Sequence, residues 1–151
     1  MATLLPSPIL TGTDRLCGSP KFEAAITYTR VINIKPDFTP ALTAQAQALF
    51  RLGDYGEAIA SVDESLHHNP HQREAWVLRG QIFMEIKRYA QALNAYNRAI
   101  YLDSNHSQSW LGKAIAYLRQ GRDQEAKDRD QRALEINPGD LEIQQFLQTL
   151  P

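Results

Sequence analysis

The densest group of potential metal ligands in this chain is a run of histidines at residues 67–71, which read His-His-Asn-Pro-His. Adjacent residues on a helix point about 100° apart, so the first two histidines cannot converge on one ion. Pro70 then interrupts the helix before His71. Glu64 and His67 have the spacing of one half of a carboxylate two-metal motif, but the second half is missing. We therefore predict exposed histidines in a turn and no metal site.

Covalent catalysis is not indicated either. Cys17 is the sole cysteine, and a catalytic cysteine needs a histidine close by to activate it. The histidines all fall later in the chain, in segments that resemble turns between helices. The sequence also lacks a glycine-rich phosphate loop, an HExxH zinc motif and a GxSxG nucleophile motif. We predict that the protein is not an enzyme and that it needs no cofactor.

Charge and composition narrow the class of partner. The chain has 151 residues, with 16 basic and 17 acidic side chains and a net charge of −1. Binding to nucleic acid or to an anionic membrane needs an excess of Lys and Arg, so we predict neither. A single cysteine permits a reducing compartment, and residues 1–10 lack a basic start and contain two prolines. These features predict a cytoplasmic protein without a signal peptide.

The strongest pattern in the sequence is a repeat of 34 residues. Small residues recur in three columns, and larger apolar residues recur between them, as expected where helices pack closely. The small columns are Ala46, Gly80, Ala114; Ala58, Ala92, Ala126; and Ser65, Ala99, Ala133. Trp76 and Trp110 share the period, as do Tyr55 and Tyr89.

Each repeat divides into two helical stretches. In the middle repeat we predict helix A at residues 74–86, a turn at Lys87 and Arg88, and helix B at residues 89–102. Gly53 and Gly121 stand at the equivalent turns, where a left-handed helix end suits glycine. We predict an irregular segment at 1–20, a half repeat with only helix B at 21–38, full repeats at 39–72, 73–106 and 107–140, and a C-terminal capping helix at 141–151.

This pattern resembles the tetratricopeptide-repeat (TPR) family, through Trp76, Gly80, Phe83, Ala92, Tyr96 and Ala99 of the middle repeat. The resemblance implies an all-α fold, a right-handed superhelical solenoid of antiparallel helix pairs. Arg79 and Lys113 stand where the family usually has leucine, and Ser104 replaces a proline. Asp123 and Asp130 replace aromatic residues, which we interpret as a thinly covered, polar end of the solenoid.

In TPR proteins, helix A lines a concave groove that binds a peptide or helix of a partner. By register, the resemblance implies a groove formed by Thr43, Gln47, Phe50, Arg51, Val77, Gln81, Met84, Leu111, Ile115 and Leu118. Pro40, Glu74, Glu85, Gln108 and Arg119 complete the same rows. Members that grip acidic chaperone tails do so with a clamp of Lys, Asn and Arg, whereas the corresponding places here hold Thr43, Gln47, Leu78, Gln108 and Gly112. We predict that this clamp is absent.

The resemblance therefore implies an adaptor or scaffold that binds a protein or peptide, without nucleic acid or membrane. Two alternatives stay open. The half repeat at 21–38 leaves Tyr28 and Val31 without a helix A partner, so the chain could form homo-oligomers through this end. It could also be part of a longer TPR array.

Overall fold

The computed structural model describes residues 18–150, so the predictions for residues 1–17 lie outside the described part. Within 18–150 there are eight helices and no strand, which confirms the predicted all-α class. The helices are α1 (Pro20–Ile34), α2 (Thr39–Leu52), α3 (Tyr55–His68), α4 (Arg73–Glu85), α5 (Tyr89–Leu102), α6 (Ser107–Arg119), α7 (Asp123–Ile136) and α8 (Leu141–Thr149).

The helices pack in sequential pairs, as short connections require. Helix α2 packs on α3, α4 on α5 and α6 on α7, while α3 contacts α4 and α5 contacts α6. Helix α1 packs on α2, and α8 packs on α7 at the other end. Helices α2, α4 and α6 are the A helices of the solenoid, and α8 follows them in register.

Turn residues set the length of each A helix. Gly53 and Gly121 have φ values of 83° and 72°, which confirms the predicted left-handed positions. The middle turn has no glycine, and Lys87 adopts φ 60° there. Such a conformation places the Cβ of an L-residue too close to a carbonyl oxygen, at a cost of roughly 1–2 kcal/mol. The middle repeat therefore holds a lysine where its neighbours use glycine.

Small residues hold the helices together in the predicted columns. Ala46, Ala58, Ala92 and Ala126 are fully buried, so the backbones of the paired helices approach closely at each repeat.

Arg79 stands where TPR repeats usually have leucine. It pairs with Asp63 at 2.6 Å, and its guanidinium lies over the ring of Phe83. The long apolar stem and stacking plane of arginine thus cover core surface while the charge stays paired.

One hydrogen bond links successive repeats at equivalent positions. The indole Nε1 of Trp76 donates to the carbonyl of Pro70 at 2.8 Å, and that of Trp110 donates to the carbonyl of Ser104 at 2.9 Å. At the next equivalent position Gln144 donates through Nε2 to the carbonyl of Pro138 at 2.6 Å. The acceptor is a backbone carbonyl oxygen, so the hydrogen bond forms even where Ser104 stands in place of proline.

The interpretation of Asp130 as a thinly covered surface residue is wrong. Its side chain is fully buried, and neither carboxylate oxygen has a hydrogen-bond partner among the described residues. Asp130 occupies the position of Tyr96 one repeat earlier. The C-terminal helix α8 packs on α7 and brings Ile143 and Phe146 into the core there, so the last B helix is covered.

Helix α8 caps the third repeat through one deeply buried side chain, and we expect its loss to be costly. Ile143 is fully buried in a cluster with Leu111 and Ala133. Ile143→Ala should lower the free energy of unfolding by about 2 kcal/mol in a urea titration, because it leaves a cavity. Leu141, in the same helix, is 69% exposed, so Leu141→Ala should change stability by less than about 0.5 kcal/mol. Equal effects of the two substitutions would show that α8 does not cap the core.

Candidate functional site: the concave groove

A cavity of about 530 Å³ lies across the A helices and reaches the start of α8. Apolar side chains form its centre and polar or charged side chains form both ends, which is the usual composition of a binding site. It is lined by Phe50, Val77, Gln81, Met84, Glu85, Lys87, Tyr89, Tyr96, Gln108, Leu111, Gly112, Ile115, Arg119 and Glu142. We call this cavity the groove.

The floor of the groove is a tyrosine held between two glycines. A Cβ built on Gly80 would lie 2.8 Å from the ring of Tyr96, and one built on Gly112 would lie 2.6 Å from it. The ring therefore fits between α4 and α6 because both helices lack a side chain there. Burial raises the pKa of Tyr96, so the phenol stays protonated and can donate a hydrogen bond into the groove.

The structure distributes the predicted groove residues over three environments. Phe50, Val77, Gln81, Met84, Leu111 and Ile115 line the groove, although Leu111 is only 2% exposed and belongs mainly to the core. Gln47 and Arg51 line a second cavity of about 290 Å³ between α1 and α2. Thr43 and Leu118 line neither cavity.

Thr43 is engaged inside the first repeat. Its Oγ1 lies 2.8 Å from Oγ of Ser65, and it donates to Oε1 of Gln72 at 3.3 Å. Gln72 in turn donates through Nε2 to the backbone carbonyls of Ser65 and Asn69 at 3.0 and 2.9 Å. The hydroxyl therefore belongs to a partly buried polar network between the helices of the first repeat.

Several groove residues were missed because they do not belong to an A helix. Lys87 lies in the turn between α4 and α5, Tyr89 and Tyr96 lie on α5, and Glu142 lies on α8. The 34-residue register already placed Glu142 two periods after Glu74 and one after Gln108. Extending that row into the capping helix would have identified it. For Tyr96, the facing glycines at 80 and 112 were the available signal.

The edge of the groove at the N-terminal ends of the A helices is rich in carboxylates. Arg73 forms ion pairs with both Glu74 and Asp103, and Gln108 donates through Nε2 to Asp140 at 3.1 Å and to Glu142 at 3.4 Å. A backbone hydrogen bond and Arg73 hold the pKa of Asp103 below its usual value. We call these residues, together with His106, the N-terminal edge.

His106 contributes no charge to this edge near neutral pH. Burial is the main cause that lowers the pKa of His106, and nearby Arg73 acts in the same direction. Nδ1 of His106 lies 2.7 Å from Oγ of the fully buried Ser109. The imidazole therefore satisfies a buried hydroxyl and leaves the carboxylates in excess.

The opposite edge, at the C-terminal ends of the A helices, is rich in cations. Lys87 and Arg119, which line the groove, and Arg51, which lines the second cavity, form no ion pair with any residue in 18–150. Glu85 is the one carboxylate beside them that lines the groove. We call these four residues the C-terminal edge. Unpaired charges at the rim of an apolar groove are available to a ligand.

Metal binding and membrane insertion find no support in the described part. Residues 18–150 hold no group of three or more His, Cys, Asp and Glu side chains placed to share a metal ion. His68 of the histidine run pairs instead with Glu64, at 3.0 Å from Nε2 to Oε1. None of the helices in 18–150 has the length and apolar character that crossing a bilayer requires.

Comparison with known proteins decides the family. Two family models described as tetratricopeptide repeat match residues 43–107 and 83–150, and together they span all three helix pairs except the first residues of α2. The chain belongs to the tetratricopeptide-repeat family. The match covers the groove from Phe50 to Glu142.

Curated relatives of this TPR chain are much longer proteins. It is 28% identical over 105 residues to the DnaJ homolog subfamily C member 3 homolog of Dictyostelium discoideum, covering 67% of this chain and 21% of the relative. It is 27% identical over 85 residues to anaphase-promoting complex subunit 3 of Schizosaccharomyces pombe, covering 56% of this chain and 13% of the relative. The chain thus spans less than a quarter of the length of either relative.

Solved structures establish the TPR fold. A crystal structure of MamA superposes with a TM-score of 0.80 at 20% identity, covering 91% of this chain and 81% of that one. The first TPR domain of Spaghetti (RPAP3), solved with the HSP90 peptide SRMEEVD, superposes with a TM-score of 0.70 at 23% identity, covering 73% of this chain and 87% of that one.

Proposed function

We propose that this TPR chain is a protein-interaction adaptor that binds a peptide or helix of a partner protein in the groove. The observation that carries the proposal is the groove itself, an apolar cavity of about 530 Å³ with the Tyr96 ring at its floor and unpaired charges at its rim. Members of the family are typically interaction modules, and one structural neighbour was solved with a bound peptide. No catalytic or cofactor chemistry is part of the proposal.

An acidic chaperone tail of the kind bound by the RPAP3 domain is not the expected ligand. Two of the places that the clamp would need hold Thr43, which is bonded to Ser65, and Gln108, which is bonded to carboxylates. A third holds Gly112, which has no side chain and lies against the ring of Tyr96. None of these can offer a cation to a terminal carboxylate.

Blocking the groove from an exposed position should weaken binding without unfolding the protein. Gln81 is exposed and lies between the groove and a smaller neighbouring cavity, so Gln81→Trp adds bulk to the groove without disturbing the core. Peptides selected on the parent protein from a phage-displayed random library should bind Gln81→Trp at least about tenfold more weakly in fluorescence anisotropy. Melting temperature should stay within about 2 °C of the parent.

The matched control is Gln91→Trp, the same substitution at another exposed glutamine, which lies on α5. Gln91 is exposed and lines no described cavity, so this variant should bind the selected peptides like the parent. The proposal fails if no peptide is enriched, or if Gln81→Trp and Gln91→Trp bind the enriched peptides equally well.

Self-association through the N-terminal end is the second candidate. Ile26 on α1 is 40% exposed, Ile34 at the end of α1 is 87% exposed, and Phe38 just after α1 is 39% exposed. Exposed apolar side chains at one end of a solenoid favour contact with another repeat or another chain. Under this alternative, light scattering of the parent and of Gln81→Trp should show the same associated species, because position 81 lies away from α1.

A further inference from the structure

We propose that the groove binds an amphipathic helix whose two flanks carry opposite charge. Carboxylates of this helix lie beside the C-terminal edge, and its Lys or Arg side chains lie beside the N-terminal edge. The inference rests on the proposed function and adds the chemistry of the partner.

The width of the groove suits a helix. All A helices run in the same direction, so their N-terminal ends form one edge and their C-terminal ends form the other. Gln108 and Arg119, which line opposite edges, are 11 residues apart on α6, or about 16 Å at 1.5 Å per residue. A helix with its side chains is about 10–12 Å across, so charged side chains on both flanks can reach both edges. An extended chain beside one edge would leave the other edge to water.

The charges at the two edges have opposite sign. At the N-terminal edge the carboxylates of Glu74, Asp103, Asp140 and Glu142 face the single cation of Arg73. His106 is kept neutral by burial, so negative charge is in excess there. At the C-terminal edge Lys87 and Arg119 line the groove with the one carboxylate of Glu85, and Arg51 adds a further cation from the second cavity. Between the edges lie the apolar side chains of Phe50, Val77, Met84 and Ile115.

Complementary charge makes this arrangement selective for one kind of helix. Each edge of the groove meets a flank of the opposite charge. A helix with mixed charges on its flanks would bring repelling pairs to both edges. The charge pattern also fixes the direction of the bound helix, because turning the helix end for end exchanges its flanks. Carboxylates at the N-terminal ends and cations at the C-terminal ends also interact favourably with the dipoles of the A helices. This intramolecular role is the competing explanation for the charge pattern, and the experiment must distinguish it from partner binding.

Two synthetic peptides separate these explanations. Both have the same composition, the same apolar stripe at i, i+3, i+4 and i+7, and the same hydrocarbon staple on the outward face, so that circular dichroism shows equal helicity. In the sorted peptide one flank carries Glu and the other carries Lys, whereas in the mixed peptide each flank alternates the two. By fluorescence anisotropy at low ionic strength, the sorted peptide should bind at least about tenfold more tightly, and its advantage should shrink in 0.5 M salt.

Charge reversal in the protein locates the effect. Lys87→Glu combined with Arg119→Glu should remove the advantage of the sorted peptide, since the C-terminal edge then repels the acidic flank. Arg98→Glu combined with Arg132→Glu, at exposed positions on α5 and α7 that line no described cavity, should leave it unchanged. This control makes the same change of net charge away from the groove.

The outcomes distinguish this inference from the proposed function. If both peptides bind equally well and Gln81→Trp releases both, the groove is a binding site but its charges do not select the partner. If Gln81→Trp releases neither peptide, the groove itself is not the binding site and both proposals fail. If neither peptide binds while display peptides do so through Gln81, the partner is not a charge-sorted helix.

Discussion

Replacing Gly80 with leucine should lower the free energy of unfolding by roughly 3 kcal/mol, because the new side chain has no room. Even the first added carbon would lie 2.8 Å from the ring of Tyr96. The ring has little room to retreat towards α6, because the space at Gly112 is so narrow that even a Cβ there would lie 2.6 Å from it. Urea titration followed by circular dichroism measures the loss, and the helical content of the native baseline should be retained.

Gly56 provides the matched control for this substitution. It lies on α3 with no atom within 4 Å of a built Cβ, so Gly56→Leu should change stability by less than about 0.5 kcal/mol. The first repeat also suggests a rescue. Ala46 and Val62, which are equivalent to Gly80 and Tyr96, share one core cluster, so Gly80→Ala should be tolerated better in a Tyr96→Val background. If Gly80→Leu melts like the parent, the ring does not fill the space between α4 and α6.

Asp130 should make the protein more stable as the pH falls from about 7 to about 4. Burial raises the pKa of Asp130 to about 6 in the folded state, from 3.8 in the unfolded state. Above the folded pKa the protein must hold an unpaired buried carboxylate, which is destabilising by roughly 3 kcal/mol. That penalty decreases as the pH falls through 6 and vanishes below the unfolded pKa. Acidification thus relieves a destabilising charge.

Comparison with Asp130→Asn isolates this effect from all other titrations. The asparagine variant should be more stable than the parent by roughly 3 kcal/mol at pH 7.5, and the difference should decline toward pH 4. Asp103 supplies a control of opposite sign, because its pKa is lowered by the backbone N–H of Asn105 and by Arg73. Its contribution to stability is present above the unfolded pKa and is lost as the pH falls. A constant difference between parent and Asp130→Asn would show that the carboxylate reaches solvent.

The repeat and most of its helices could be predicted because the same residue types return at one spacing. Helix B of the middle repeat was predicted at residues 89–102 and α5 has those limits, while helix A was displaced by one residue. The left-handed turns at Gly53 and Gly121 followed from the residue type alone. These features are local, so the chain near each position determines them.

The environment of Asp130 could not be predicted, because the sequence shows what occupies a position but not what covers it. A polar residue at an aromatic position suggested exposure, yet the side chain is fully buried in the folded chain. Gln144 was missed for a related reason. An amide and an indole look unlike in sequence, although both donate the same hydrogen bond to the preceding turn. The floor of the groove was missed because Tyr96 belongs to a B helix and enters through a gap between two glycines.

The left-handed turn at Lys87 has a practical consequence for engineering this protein. Glycine, which fills the equivalent turns at Gly53 and Gly121, would suit a φ of 60° better than lysine does. Selection for heat resistance alone would therefore favour glycine at position 87 and discard a cation from the rim of the groove. A library screened for thermal tolerance would need a binding assay in parallel, because folding and recognition favour different residues at this one turn.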